Sequence, residues 1–354
     1  MRKLNFSSGP ATLPESVLRR AQEAIWDLDG SGIGLLEHSH RGKEFMRVLD
    51  GAEAAIREVG GIGDQFAVLF VTCGATQHFE MVPRNFLAVD QTVDVCHTGV
   101  WSGKVIEEAK RFGTVHVACS SEADGFASVP STFAWSASPR YVHYTSNETI
   151  YGTQWAAPPQ APAPLVCDAS SDIFSRPLPL ANHALIYAGA QKNLGPSGIS
   201  LVIADKKFIE TGATNLSPLA QYRVYAKERS LHNTPNTFGV WMIGEVCRWI
   251  LAHGGLVGMA EVNARKAKLL YDFLDGSNSW RAHAQPGSRS NMNITFRGAT
   301  PEREDALIAA AEAKGLSGLR GHRSVGGMRA SIYNAFPEHG VQQLVSLLQE
   351  HDAS

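Results

Sequence analysis

Between residues 67 and 204 seven short apolar runs alternate with polar, turn-forming or helix-period segments, and this pattern constrains the fold more than any other feature of the chain. Strands are predicted over 67–71, 92–96, 115–118, 141–144, 164–167, 185–188 and 199–204, and helices over 16–26, 45–58, 77–81 and 103–110. Such a series belongs to an α/β protein with a mostly parallel sheet flanked by helices. Beyond Gly255 the texture changes. An amphipathic helix (259–274), a strand (291–296), a helix (302–313), a second strand (328–333) and a final helix (338–350) describe a smaller C-terminal α/β unit. A chain of 354 residues is long enough for two domains, expected as a large one over 16–257 and a small one formed by 1–15 and 258–354. The proline-rich stretch 158–164 reads as an interdomain linker or as a surface connection. Apolar runs continue on both sides of it, which favours the second.

The net charge of −2 gives no electrostatic reason to expect a nucleic acid or an anionic membrane as partner. The most apolar helical stretch, 240–251, is interrupted by Glu245 and Arg248 and is far shorter than a membrane span. Five cysteines, an odd number without metal-ligand spacing, read as reduced thiols, so a cytoplasmic protein without a metal is expected.

Two strand ends carry polar residues able to do chemistry. The run 164–167 ends in Asp168, and the run 185–188 leads through Gly-Ala-Gln191 into Lys192. In open α/β sheets ligands bind beyond the carboxyl ends of strands, so both side chains project toward one crevice. A lysine and a carboxylate so placed suit pyridoxal phosphate, the amine for a Schiff base and the acid for the ring nitrogen. Spacing alone also allows a surface lysine and a helix-capping aspartate. Gly74-Ala75-Thr76, following a strand and opening a helix, has the small residues that let backbone N–H groups meet a phosphate. Gly30-Ser-Gly32-Ile-Gly34 follows a helix instead and lacks dinucleotide-binding spacing, which speaks against a nicotinamide enzyme. His40-Arg41 and His322-Arg323 lie in glycine-flanked loops, and alternation puts Arg329 and Ser331 on one strand face. Each dipeptide alone reads as a solvated loop; together with Arg329 they suggest a doubly anionic substrate.

These residues lie in segments that resemble one family closely. The segments are Asn5-Phe-Ser-Ser-Gly-Pro-Ala11, Ser39-His-Arg-Gly-Lys-Glu-Phe45, His143-Tyr144 with Asn147-Glu-Thr149, Ser175-Arg-Pro177, Tyr187-Ala-Gly-Ala-Gln-Lys-Asn193, Asn233-Thr-Pro235 and Gly321-His-Arg-Ser-Val-Gly-Gly-Met-Arg-Ala-Ser-Ile-Tyr-Asn334. Together they resemble the phosphoserine aminotransferases, pyridoxal-phosphate enzymes of the aspartate-aminotransferase fold type. The resemblance runs over nearly the whole chain. It implies that Lys192 forms the Schiff base, Asp168 binds the pyridinium nitrogen, Trp101 stacks on the ring and Thr149 contacts its hydroxyl side. Ala75, Thr76 and Gln191 would hold the cofactor phosphate, with Asn233 and Thr234 reaching across from the second subunit of a homodimer. Arg329 would bind the substrate α-carboxylate, and His40, Arg41, His322 and Arg323 the distal phosphate or γ-carboxylate.

The reaction implied moves the amino group of glutamate to 3-phosphohydroxypyruvate, giving phosphoserine and 2-oxoglutarate for serine synthesis, with 4-phosphohydroxythreonine in vitamin B6 synthesis as a possible second role. A serine–pyruvate or alanine–glyoxylate type transaminase, and a non-catalytic ligand-binding protein of the same fold, are the alternatives. In one respect the chain departs from the family. Cys73-Gly-Ala-Thr-Gln-His-Phe79 stands where a glycine-richer run is usual, so a slightly reshaped phosphate turn is expected.

Overall fold

The computed structural model describes residues 2–352. Its main sheet has seven strands in the order Phe66–Val71, Ser200–Asp205, His183–Gly189, Leu165–Asp168, Pro139–Thr145, Thr92–His97, Thr114–Ser120. Every predicted strand of this series is present, each within two residues of its expected ends. Ser200–Asp205 runs antiparallel to both neighbours, while the strands from His183–Gly189 to Thr114–Ser120 are parallel. The central strands are buried along their whole length, as a sheet covered on both faces requires. One face packs on the helices Lys43–Gly60 and Thr237–Ala252, the other on Ala75–Phe86 and neighbouring segments.

A second sheet of three antiparallel strands, Trp280–Ala282, Asn293–Gly298 and Met328–Ser331, carries its own apolar cluster. Phe6 belongs to that cluster, and Leu4–Asn5 pairs in parallel with Leu316–Ser317. The helix Gly255–Gly276 joins the two regions: Met259 packs with the first cluster, Leu270 and Leu274 with the last. Met328, Ala330 and Ile332 are fully buried on one side of their strand, leaving Arg329 and Ser331 on the other. The strand stops at Ser331, two residues earlier than predicted. Buried Lys266 explains the turn there, since its Nζ donates to the carbonyls of Ile332, Tyr333 and Phe336 at 2.9, 2.7 and 3.1 Å. The segment 158–164 connects Thr153–Gln154 to Leu165–Asp168, and its Ala161 and Ala163 pack against the main core.

The helix predicted over 77–81 is longer, Ala75–Phe86, and continues past Pro83. Gly74 has φ −93°, and Ala75 is already helical. Neither Ala75 nor Thr76 occupies a left-handed conformation, so the residues standing in place of glycine in this turn cost no backbone strain.

Candidate active site

Asp168 ends the strand Leu165–Asp168, opposite Thr145 and Tyr187 on its parallel neighbours. Lys192 follows His183–Gly189 in a turn closed by the Ala190 N–H donating to the Ile199 carbonyl at 3.0 Å. Both side chains line one cleft, together with Gly74, Ala75, Thr76, Trp101, Thr149 and Gln191. Lys192 Nζ donates to Thr149 Oγ1 at 2.7 Å and lies 5.7 Å from the Trp101 ring centroid. Burial pushes its amine down to about 8, against the opposing pull of the Asp168 and Glu148 carboxylates. Burial also raises the Asp168 carboxyl, while hydrogen bonds from Ser170, whose N–H lies 2.9 Å from Oδ1, and the charge of Lys192 lower it.

The helix Ala75–Phe86 opens at this cleft without a side-chain cap and without an acid in its first turn. Its leading N–H groups are thus available to an anion, and a Cβ added at Gly74 would meet nothing within 4 Å. Buried His78 anchors the helix from below, Nδ1 to Tyr222 Oη and Nε2 to Ser200 Oγ, both at 2.7 Å. Gln191 Oε1, Trp101 Nε1 and Thr145 Oγ1 are buried with no partner. An amine, a carboxylate, an aromatic wall, unpartnered polar atoms and an open helix N-terminus in one cleft fit the demands of pyridoxal phosphate.

Arg329 is 9% exposed and donates to neutral partners, Ser8 Oγ at 2.7 Å and the Thr149 carbonyl at 3.3 Å. His322 lies in the loop before its strand, with Nδ1 2.7 Å from Ser324 Oγ. Burial lowers the His322 pKa, and the positive charges of Arg329, Arg323 and Lys104 lower it further. Arg329, Arg323 and Lys104 thus all lie within electrostatic reach of His322. His40 and Arg41 sit instead in the loop before Lys43–Gly60, and Asn233 and Thr234 in the exposed loop before Thr237–Ala252. None of these four lines the cleft of its own chain.

Three contributors were not singled out in the sequence. Glu148 is fully buried, and burial pushes its carboxyl up to about 8. Its Oε2 accepts from the Trp101 N–H at 3.4 Å, and a Cβ added at Gly99 would come within 2.6 Å of its carboxyl group. Gly9, at φ +138°, lies against Lys192: a Cβ there would be 3.3 Å from Lys192 Cγ. Lys104 Nζ lies over the Trp101 ring, 5.1 Å from its centroid. Glu148 and Gly9 fall within the quoted motifs, whereas Lys104 carries no signal beyond being three residues from Trp101.

Buried asparagines join the segments that bear these groups. Asn193, next to Lys192, donates to the Ile173 carbonyl at 3.2 Å and accepts from the Asn334 N–H at 3.1 Å. Asn334 donates to the Phe174 carbonyl at 2.9 Å and accepts from Asn263 Nδ2 at 2.8 Å.

The profile of the family described as aminotransferase class-V matches residues 3–344. A curated phosphoserine aminotransferase of Herpetosiphon aurantiacus is 48% identical over 348 residues, 97% of each chain. The solved phosphoserine aminotransferase of Bacillus circulans subsp. alkalophilus aligns with a TM-score of 0.97 at 43% identity over 99% of both chains. A pyridoxal-phosphate-bound phosphoserine aminotransferase from Trichomonas vaginalis aligns with a TM-score of 0.93 at 34% identity, covering 98% of this chain and 100% of its own.

Proposed function

The chain belongs to the class-V aminotransferase family and uses pyridoxal phosphate to exchange an amino group between phosphoserine and 2-oxoglutarate, and on that premise we propose that Lys192, Asp168 and Arg329 carry its chemistry while a second copy of the chain completes the substrate site. The observation that supports this reading is the meeting of Lys192, Asp168 and the uncapped start of Ala75–Phe86 in one cleft.

Pyridoxal phosphate, when bound, supplies an electron sink for the charge left when the substrate Cα proton departs. Lys192 would hold the cofactor covalently, with Trp101 against its ring and Thr149 on its hydroxyl side. Asp168, anchored by the Ser170 N–H, would face the ring nitrogen and favour its protonated form. The N–H groups of Ala75 and Thr76, with Gln191, hold the phosphate. Lys192 would take the substrate Cα proton as a general base. An amine pushed down to about 8 is partly neutral near neutral pH and so is poised for that step. Arg329 binds the α-carboxylate, with Ser8 and the Thr149 carbonyl fixing its fork. His322 and Arg323 face the distal phosphate or γ-carboxylate.

His40, Arg41, Asn233 and Thr234 are assigned to the cleft of a partner copy: they sit in the loops before Lys43–Gly60 and Thr237–Ala252, with no contact to Lys192, Arg329 or His322. We assign residues 16–257 to a large cofactor domain and 1–15 with 258–354 to a small one. The pairing of Leu4–Asn5 with Leu316–Ser317 and the packing of Phe6 support that division. The five buried, unpaired cysteines suit a reducing compartment, the cytoplasm.

Single-turnover absorbance tests the substrate assignment. Phosphoserine and glutamate should each convert the bound cofactor to its amine form, whereas serine and alanine should do so far more slowly. Conversion by serine as readily as by phosphoserine would overturn it.

A further inference from the structure

We propose that Lys104 is a substrate-specificity residue whose ammonium binds the phosphate of phosphoserine at the outer edge of the cleft. The proposal rests on the reading above, in which His322 and Arg323 face the distal anion.

Lys104 lies one turn beyond Trp101 on the helix Val100–Ala109, so the two side chains share a face. Its Nζ is 5.1 Å from the Trp101 ring centroid, and Lys192 Nζ is 5.7 Å from the same centroid. One ring thus carries the cofactor lysine and a second, exposed lysine. Trp101 is a wall of the cleft, and Lys104 is exposed beside it without itself lining the cleft. Lys104 also contributes to the field that disfavours protonation of His322, beside Arg323 and Arg329.

Among the described residues neither Lys104, Arg323 nor Arg329 forms an ion pair with a carboxylate. The nearby acid Glu108 pairs with Arg111 at 3.0 Å, and Arg329 bonds only neutral oxygens. Like charges gathered without counter-charges are costly in the free protein and favour an anionic ligand. An α-carboxylate on Arg329 satisfies one of them. The remaining two, Lys104 and Arg323, with the His322 imidazole beside them, exceed the needs of a single γ-carboxylate. They match a phosphate monoester, which carries about −1.5 to −2 charges near neutral pH and has three acceptor oxygens. Lys104 therefore favours phosphoserine over glutamate at a site that must accept both.

The test compares Lys104→Met, which keeps the length of the stem, with Lys104→Arg. Half-reactions with phosphoserine, glutamate and serine are measured together with calorimetric binding of phosphoserine to each variant in a Lys192→Ala background, where the ligand binds without turning over. Lys104→Met should weaken phosphoserine about fivefold to tenfold, glutamate by less than half that factor and serine not at all, with Lys104→Arg near the parent. Equal losses for all three amino acids would mean that Lys104 acts only through Trp101, and an unchanged phosphoserine affinity would exclude it from the site; either result overturns the proposal. Arg323→Ala serves as the control for the underlying reading. If Arg323→Ala weakens phosphoserine and Lys104→Met does not, only the Lys104 assignment falls. If neither does, the distal-anion reading falls with it.

Discussion

Thr149 touches both Lys192 and Arg329: its Oγ1 accepts from Lys192 Nζ at 2.7 Å, and its carbonyl accepts from Arg329 Nη1 at 3.3 Å. One residue therefore spaces the amine that handles the proton from the guanidinium that binds the α-carboxylate. The two contacts are separable, because a side-chain change removes the first and leaves the second.

Thr149→Val should accordingly lower kcat by about tenfold and change KM for phosphoserine by less than threefold. One hydrogen bond to a charged group is worth about 1.5 kcal/mol or more. Steady-state kinetics check this, and a rise in KM with kcat unchanged would contradict it.

The Lys192 amine titrates near 8, below its ordinary 10.5, because burial disfavours its charge. Between those two values the unfolded chain binds a proton that the native cofactor-free protein lacks, so this group makes native stability rise with pH across that window. Below about 8 both states are protonated, and the cost of burying the charge is constant. The stability of the parent relative to Lys192→Met, from urea titrations of cofactor-free protein, should increase between pH 8 and 10. A flat difference would refute the shift.

Glu148 has the opposite linkage. Its carboxyl is pushed up to about 8 by burial, so from pH 4.5 to 8 the native state holds a proton that the unfolded chain has lost, and its contribution falls as pH rises. Glu148→Gln should gain on the parent steadily from pH 5 to 8 in urea midpoints. No change in the gap between the two would show that Glu148 is ionised in the native protein across the range.

The assignment of His40 and Arg41 to a partner's cleft predicts complementation between inactive variants. Lys192→Ala and Arg41→Ala, refolded together, should form mixed dimers with one intact site each. Random pairing would restore about a quarter of the parent's sites. Activity that stays at the sum of the separate variants would place Arg41 in its own subunit's site.

Asp168 and Lys192 were legible in the sequence because each ends an apolar run, and a strand end fixes where a side chain points. The direction of Ser200–Asp205 was less plain, although the link from Gly189 is too short for a helical crossover and so demands a reversal. The paired strands Asn147–Glu148 and Thr153–Gln154, two residues each, leave no periodicity to read. Glu148 owes its burial to Gly99, 49 positions earlier, and no local pattern records such a contact. Lys104 looks like any surface lysine until the helix phase that follows Trp101 is known. His40, Arg41, Asn233 and Thr234 were named by resemblance alone, and a single chain gives them nothing in the cleft to touch.

The asparagines at 193, 263 and 334 fasten the loop bearing Lys192 to the turn that follows the strand bearing Arg329. Any opening of the cleft between these two segments must therefore carry this joint along intact or break its hydrogen bonds.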